Sequence, residues 1–329
     1  MKVVEKSCPQ KDIWRLNMKK IDLITGFLGA GKTTFLLKYA RYWMEQGFRI
    51  GILEYDYGAI NTDMLLLNQL RGPYCELEMV AAACDRDCLR RRFKTKLIAM
   101  AMSGYDRVIV EPSGVFDMDM FFDELREEPL EDRYEIGNVI AVVNANLGED
   151  LNDIDDFILA SQASAAGCVL FSHVQMATER ELENSRKHIE EAAKKIQCRD
   201  FNPSYLAKDW DTLSAEDYAY LAGCGYHISS YVKLQAEQLS AYSSVSFIDV
   251  TATLEELKYR IRELFANPEY GEVTRVKGFV IDGGISHQIN ATRYEIQTEP
   301  IGLGQKTLIV IGSNLNTEKI EKLIRTGLE

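Results

Sequence analysis

The sequence predicts an α/β fold in which helices flank a mostly parallel sheet, followed by a smaller α+β domain. Short apolar runs rich in β-branched residues alternate with helix-like stretches over most of the chain, and this alternation is typical of a parallel sheet covered on both faces. After about residue 250 the pattern changes to strands joined by a short turn at residues 282–284. The 329 residues are enough for two domains.

Each predicted strand of the large domain is a short run of apolar residues. These runs lie at residues 20–25, 49–53, 107–110, 138–143 and 168–171, with another strand candidate at 245–250. A helix is predicted at 33–46, where apolar residues recur at helical spacing up to Gly47, and a charged amphipathic helix at 178–197. Residues 198–240 show no clear periodicity and indicate only an irregular, partly helical stretch.

The small domain is predicted to contain three strands and a final amphipathic helix. The strands lie at residues 276–282, 288–292 and 308–311. Residues before Met18 lack the pattern of a buried strand and are interpreted as an extension. We therefore predict an N-terminal extension over residues 1–17, a large α/β domain over 18–250 and a small α+β domain over 251–329.

The charge of the chain argues against nucleic-acid and membrane partners. Its 38 Lys and Arg residues against 50 Asp and Glu residues give a net charge of −12, which repels polyanions. No apolar stretch approaches the ~18 residues of a membrane span, and no signal peptide is recognisable. The seven cysteines, an odd number, favour reduced thiols over a disulfide framework. We therefore expect a cytoplasmic protein, and the sequence leaves its oligomeric state open.

Residues 26–33 (GFLGAGKT) match the phosphate-loop pattern G-x-x-x-x-G-K-[ST] and lie between a predicted strand and a predicted helix. Glycines let backbone N–H groups surround the β-phosphate, Lys32 neutralises β- and γ-phosphate oxygens, and Thr33 offers a hydroxyl to Mg²⁺. The sequence therefore predicts a P-loop NTPase domain. The nucleotide-binding candidates in this loop are Gly26, Gly29, Ala30, Gly31, Lys32, Thr33 and Thr34.

Two further segments complete the predicted phosphate site. The strand at 107–110 is followed by Glu111 at its carboxyl end, where α/β sheets bind ligands, and Glu111 is expected to hold Mg²⁺ through water. Gly114 is a candidate contact to the γ-phosphate. Asp56 follows the second strand in a segment that reaches Asp63, and we expect it to approach Mg²⁺ as part of a nucleotide switch. The candidate catalytic residues are Lys32, Thr33, Asp56 and Glu111, and the last three are the candidate Mg²⁺ ligands.

Four sequence patterns together give a family resemblance. They are GFLGAGKTT, D-Y-G-(x)₄-D at residues 56–63, the strand ending in EPSG, and V-K-G-F-V followed by I-G-S-N-L-N in the small domain. This combination resembles the CobW-type GTPases, which are relatives of the nickel-insertion GTPases of urease and hydrogenase maturation. The resemblance implies a P-loop domain, a small CobW-like C-terminal domain, GTP hydrolysis with Mg²⁺, and delivery of a metal or metallocofactor to a client metalloprotein or corrinoid protein.

The family usually carries a C-x-C-C metal motif after the first switch loop, and this chain lacks that motif. Cys84 and Cys88 remain, and on a helix their spacing places both sulfurs on one face, with Cys75 as a third candidate ligand. Thiolate ligands favour Zn²⁺ or another thiophilic metal. The alternative is a pair of half-buried cysteines with a structural role.

The segment expected to read the base also departs from the family. Where the family has N/S-K-x-D, whose Asp accepts both N–H groups of guanine, this chain has Ser172, His173, Val174 and Gln175. The Gln175 amide suits guanine through one hydrogen bond and adenine through two. Asn144 also replaces an Asp that the family often has after the preceding strand. Ser172, His173 and Gln175 are therefore base-binding candidates, with GTP favoured by the resemblance and ATP as the alternative.

The leading hypothesis is a Mg²⁺-dependent nucleoside triphosphatase, preferring GTP, that acts as a switch in delivery of a metal or a cobalamin-type cofactor. A second hypothesis is a nucleotide-gated chaperone for a metal or a corrinoid protein, with little turnover. A third is an ATP-driven reactivating factor, which the amide of Gln175 favours. The sequence names neither the metal nor the client.

Overall fold

The computed structural model describes residues 18–55, 63–80, 86–116, 118–147, 151–233, 242–293, 295–301 and 306–326. Seven strands form a first sheet: β1 (Lys19–Gly26), β2 (Ile50–Tyr55), β3 (Cys75–Val80), β4 (Arg107–Pro112), β5 (Tyr134–Asn144), β6 (Cys168–Ser172) and β7 (Ser204–Ala207). They lie in the order β3-β2-β4-β1-β5-β6-β7, and every pair is parallel. The carboxyl ends of all seven strands therefore meet at one edge of the sheet.

Helices connect these strands and cover the sheet. They are α1 (Lys32–Glu45), α2 (Asp63–Leu67), α3 (Arg86–Met102), α4 (Met118–Leu125), α5 (Asp153–Ala165), α6 (Glu179–Lys195) and α7 (Ala215–Leu221). The charged helix α6 begins at a capping box, in which the Thr178 hydroxyl accepts from the Glu181 N–H and the Glu181 carboxylate accepts from the Thr178 N–H. This cap fixes the start of the helix that the sequence predicts from residue 178.

The first sheet is buried on both faces because successive residues of a strand point to opposite sides. On β1, Leu23 packs in a cluster with Phe93 of α3 and Phe121 of α4, whereas Ile24 packs in another cluster with Phe35 of α1. These two clusters are the cores above and below the sheet. The prediction of a mostly parallel sheet flanked by helices is confirmed.

Five further strands form a second, antiparallel sheet: β8 (Tyr242–Ile248), β9 (Glu272–Asp282), β10 (Ile285–Thr292), β11 (Ile296–Ile301) and β12 (Thr307–Ser313), in the order β11-β10-β9-β12-β8. Two helices, α8 (Leu254–Ala266) and α9 (Thr317–Thr326), cover one face of this sheet. Their residues Leu257 and Ile320 pack in one cluster with Val276 of β9. A small α+β unit thus follows the parallel sheet, as the fold class predicts.

Strands β7 and β8 and helix α7 lie near the boundary between the two domains. Residues 198–240 contribute β7 at the edge of the first sheet and helix α7. Strand β8 pairs antiparallel with β12, so that Val245 lies opposite Val310. The predicted boundary after residue 250 separates β8 from the sheet it joins, and we propose a boundary before residue 242 instead. The predicted extension over residues 1–17 lies outside the described residues.

Candidate functional site

The predicted phosphate loop lies between the carboxyl end of β1 and the first turn of α1. Gly26 is the last residue of β1, and the loop through Gly29 and Ala30 closes with a hydrogen bond from the Ala30 N–H to the Phe27 carbonyl, 3.2 Å long. Gly31 precedes α1 with φ 95°, in the left-handed region that favours glycine. The observed backbone is therefore the strand, glycine loop and helix that the motif predicts.

Lys32 and Thr33 lie at the start of α1 and face the inside of the site. Both are buried, with exposed fractions of 6% and 9%. Lys32 Nζ lies over the loop and donates to the Phe27 carbonyl at 3.4 Å, while Thr34 faces solvent. The lysine side chain thus folds back along the loop that precedes its own helix, next to the backbone that the motif predicts to surround phosphate.

Glu111 joins the phosphate loop from the neighbouring strand β4. Its carboxylate is 3% exposed, and its Oε1 accepts a 2.7 Å hydrogen bond from Thr33 Oγ1. A hydroxyl and a carboxylate are oxygen donors, and oxygen donors suit a hard cation such as Mg²⁺. The pair brings together two of the three candidate Mg²⁺ ligands, whereas Asp56 lies outside the described residues.

Gly114 lies directly against the phosphate loop. A Cβ at this position would come within 2.6 Å of the Leu28 backbone nitrogen, so only glycine permits this approach. The Gly114 carbonyl accepts a 3.1 Å hydrogen bond from Gln162 Nε2 of α5, which holds the segment in place. The segment that follows β4 therefore contacts the loop, as its candidate role near the γ-phosphate requires.

Glu54, which no sequence motif marks as functional, lies on β2 directly beside Glu111 in the parallel pairing. Its side chain is buried and lines a cavity together with Lys32 and Glu111. The available signal was a single acidic residue within the apolar run of residues 50–55. A buried acid in such a run is unusual because an ionised carboxylate is costly to bury.

The base-reading candidates lie at the carboxyl end of β6. Ser172 is buried, His173 has φ 55° and its Nδ1 lies 3.1 Å from Ser172 Oγ, and Gln175 is exposed in a 3₁₀ turn. His173 Nε2 is also 3.3 Å from Gln297 Nε2 of the second sheet. The structure thus places the three candidates in one segment, and Asn144 pairs with Ser172 across β5 and β6.

Trp210 connects this segment to the phosphate loop, although no sequence motif predicts this contact. Its Nε1 donates to the Phe171 carbonyl at 3.0 Å, and its ring lies 5.6 Å from the Phe35 ring. A Cβ at Gly31 would be 3.2 Å from Trp210 Cη2. The indole therefore forms a wall between the end of β6 and the start of α1. A tryptophan in the otherwise polar stretch 208–212 was the signal for it.

Of the candidate cysteine ligands, the two that the structure describes, Cys75 and Cys88, lie apart. Cys75 on β3 packs in the cluster on the α1 side of the sheet, and burial raises the pKa of its thiol to about 12. Glu78 on the opposite face of β3 forms a 2.8 Å ion pair with Lys96 of α3, so α3 and its half-buried Cys88 lie on the other side. Cys84 lies outside the described residues, and within the described ranges no cluster of three His, Cys, Asp or Glu side chains suits a metal ion.

This chain has the features of a P-loop NTPase, namely the parallel sheet, the glycine loop before α1 and the Thr33–Glu111 pair. Residues 20–200 match the family model described as the CobW/HypB/UreG nucleotide-binding domain, and the chain belongs to this family. The family resemblance drawn from the sequence motifs is therefore confirmed.

Known proteins similar to this chain include a zinc chaperone and a hydrogenase maturation factor. The zinc chaperone YjiA of Escherichia coli (strain K12) is 29% identical over 174 residues, which cover 50% of this chain and 52% of that protein. The chain thus aligns with about half the length of this curated relative. The solved Zn(II)-bound YjiA GTPase from E. coli has 16% identity and a TM-score of 0.35, covering 95% of this chain and 100% of that one. The solved hydrogenase maturation factor HypB from Archaeoglobus fulgidus has 13% identity and a TM-score of 0.40, covering 65% of this chain and 93% of that one.

Proposed function

We propose that this protein is a Mg²⁺-dependent GTPase that uses nucleotide hydrolysis to control delivery of a metal or metallocofactor to a client protein. The observation that carries this proposal is the buried Thr33–Glu111 hydrogen bond at the head of the phosphate loop. The similarity to a protein named zinc chaperone supports the metal-delivery part. Zinc or another thiophilic metal, or a cobalamin-type cofactor, is the proposed cargo.

The proposed roles follow from the positions of the side chains. Residues 26–34 would surround the phosphates, with Lys32 neutralising the β- and γ-phosphate oxygens. Thr33 and Glu111, with Asp56, would hold Mg²⁺, which supplies further neutralisation of phosphate charge when bound. Gly114 would approach the γ-phosphate from the segment that contacts Leu28. A water positioned in this site would then attack the γ-phosphorus.

The segment from Ser172 to Gln175, together with Trp210, is proposed to bind the base. Family membership favours guanine. The amide of Gln175 suits adenine as well, and this feature favours an ATP-driven reactivating factor as the second candidate. The client is proposed to be a metalloprotein or a corrinoid protein, and Cys84 and Cys88 are the proposed cargo ligands.

The proposed setting is the cytoplasm. Within the described part of the chain, Cys75, Cys88, Cys168, Cys198 and Cys224 form no disulfide, which is typical of a reducing compartment. Among the residues that the structure describes, no helix is both long and apolar enough to cross a membrane.

A paired titration of the purified protein with GTP and ATP tests this function. We expect tighter binding of GTP, and we expect Mg²⁺ to raise the affinity by about 10-fold or more over EDTA because of the oxygen ligands at Thr33 and Glu111. Glu111→Gln should remove most of this Mg²⁺ dependence. Glu78→Gln is the control and should keep the dependence, because Glu78 lies on β3 and its carboxylate pairs with Lys96 of α3. A preference for ATP would support the second candidate, and absence of binding to either nucleotide would refute both.

A further inference from the structure

One face of the second sheet is apolar and packs against helices. The opposite face carries polar residues on β9 and β10, next to the buried apolar residues Phe279 and Ile309. On β9, Val276 and Val280 pack with the helices α8 and α9. Arg275 and Lys277 alternate with them and therefore point to the opposite face. On the adjacent strand β10, Thr292 pairs with Arg275 and Asn290 pairs with Lys277, so the polar character continues onto this strand. An antiparallel sheet with this pattern commonly exposes its polar face to water.

This polar face instead contacts the phosphate loop. A cavity of about 50 Å³ between the two sheets is lined by Lys32, Thr33 and Glu111 on one side and by Arg275, Lys277 and Asn290 on the other. At Gly29, a Cβ would lie 2.8 Å from the Thr292 methyl group, which shows how closely β10 approaches the loop. The second sheet is therefore a wall of the nucleotide site.

Of the two cations on this wall, Lys277 is buried and Arg275 is half-buried. Lys277 is only 5% exposed, and a lysine is rarely buried unless negative charge lies nearby. A smaller cavity adjoining the first is lined by Lys32, Arg275 and Lys277 together with the carboxylates of Glu54 and Glu111. Three cations thus share this space with two anions. Arg275 is held in place because Asn290 Oδ1 accepts a 3.0 Å hydrogen bond from its Nε.

We propose that Arg275 and Lys277 bind the γ-phosphate of the bound nucleoside triphosphate, so that the second sheet completes the phosphate site. This inference rests on the proposed function. It is supported by the location of both cations opposite Thr33 and Glu111, the end of the loop where the Mg²⁺ ligands lie. A diphosphate ends one phosphoryl group short of this wall, so the contact distinguishes the triphosphate from the diphosphate.

The same contact would speed hydrolysis. A water oxygen forms a bond to the γ-phosphorus while the bond from that phosphorus to the β–γ bridging oxygen breaks. The electron pair of the broken bond stays on the β-phosphate, and the protons of the water pass to the released phosphate and the solvent. Cationic groups at the γ-phosphate stabilise the charge that develops, as an arginine finger does when another protein supplies it. Here the same chain supplies the group.

The experiment compares Arg275→Gln and Lys277→Met with Arg325→Gln and Lys319→Met. The control residues lie on α9, on the far side of the same sheet, in exposed ion pairs with Glu321 and Glu269. Thermal unfolding first shows that each variant is folded. Binding is then measured with a non-hydrolysable imido analogue of the triphosphate that the unaltered protein prefers, and with the matching diphosphate, in Mg²⁺.

We expect each of Arg275→Gln and Lys277→Met to weaken binding of the triphosphate analogue by about 10- to 100-fold and to leave diphosphate binding within about threefold. The turnover number should fall by about 100-fold. The α9 variants should leave the ratio of triphosphate to diphosphate affinity unchanged. Folded variants at 275 and 277 with an unchanged ratio would overturn the inference while leaving the proposed function intact. Absence of nucleotide binding by the unaltered protein would overturn both.

Discussion

The phosphate end of the candidate site and its proposed base end are built in different ways. At the phosphate end, the loop at 26–31, Lys32 and Thr33 come from consecutive positions, and Glu111 joins them from the adjacent strand. At the base end, Gln175 and Trp210 come from separate loops, and Gln175 is exposed. Phosphate binding depends on backbone N–H groups and a few fixed charges, whereas base recognition depends on hydrogen-bond donors and acceptors of side chains. We therefore expect substitutions at the proposed base end to change base preference without changing phosphate binding.

The largest expected effect lies at the phosphate end. Lys32→Ala removes the charged side chain that folds over the loop, and we expect nucleotide affinity to fall by about 100- to 1,000-fold, because charge-assisted hydrogen bonds to both the β- and γ-phosphate are lost. Isothermal titration with GTP and ATP measures the loss, which should be equal for the two. Lys38→Ala, on the outer side of α1 in an ion pair with Asp211, is the control and should bind as the unaltered protein does. Near-unchanged affinity of Lys32→Ala would refute the phosphate-loop assignment.

The contrast between the two ends also explains which parts were predictable from the sequence. The strands at 20–25 and 107–110 are buried on both faces, so they appear as apolar runs, and the motif between strand and helix specifies Lys32 and Thr33 directly. Trp210 was not predictable because its contact with Gly31 joins residues far apart in the chain, and no local pattern encodes that contact.

Sheet membership was harder to predict than strand location. The apolar run at 245–250 indicates a strand, but nothing in it tells which of two sheets it joins, and β8 joins the second. Strand β7 is short, half-buried and at the sheet edge, so it lacks the apolar run that marks the central strands. The alternation of Arg275 and Lys277 with apolar residues predicts a polar sheet face, yet only the tertiary structure shows that this face meets the phosphate loop.

A smaller effect is expected where the two ends meet, at Trp210. Trp210→Ala removes the packing against Phe35 and the hydrogen bond to the Phe171 carbonyl, and we expect the free energy of unfolding to fall by about 2 kcal/mol. Trp210→Phe keeps most of the packing and should lose only about 1 kcal/mol. Urea denaturation followed by circular dichroism measures both. Equal losses in the two variants would show that the hydrogen bond, and not the ring, holds this wall of the site.

The smallest expected effect is the most informative about the base end. Gln175→Asp restores a carboxylate in the segment after β6, where it can accept two N–H groups from guanine but meets only one donor group on adenine. We expect the ratio of the ATP to the GTP dissociation constant to rise by about 10-fold, with phosphate binding unaffected. The measurement is a competition titration against a fluorescent nucleotide. Gln197→Asp, at a residue that follows α6 outside this segment, is the matched control. If Gln175→Asp leaves the ratio unchanged, the segment from Ser172 to Gln175 does not contact the base, and selectivity must come from the loop that carries Trp210.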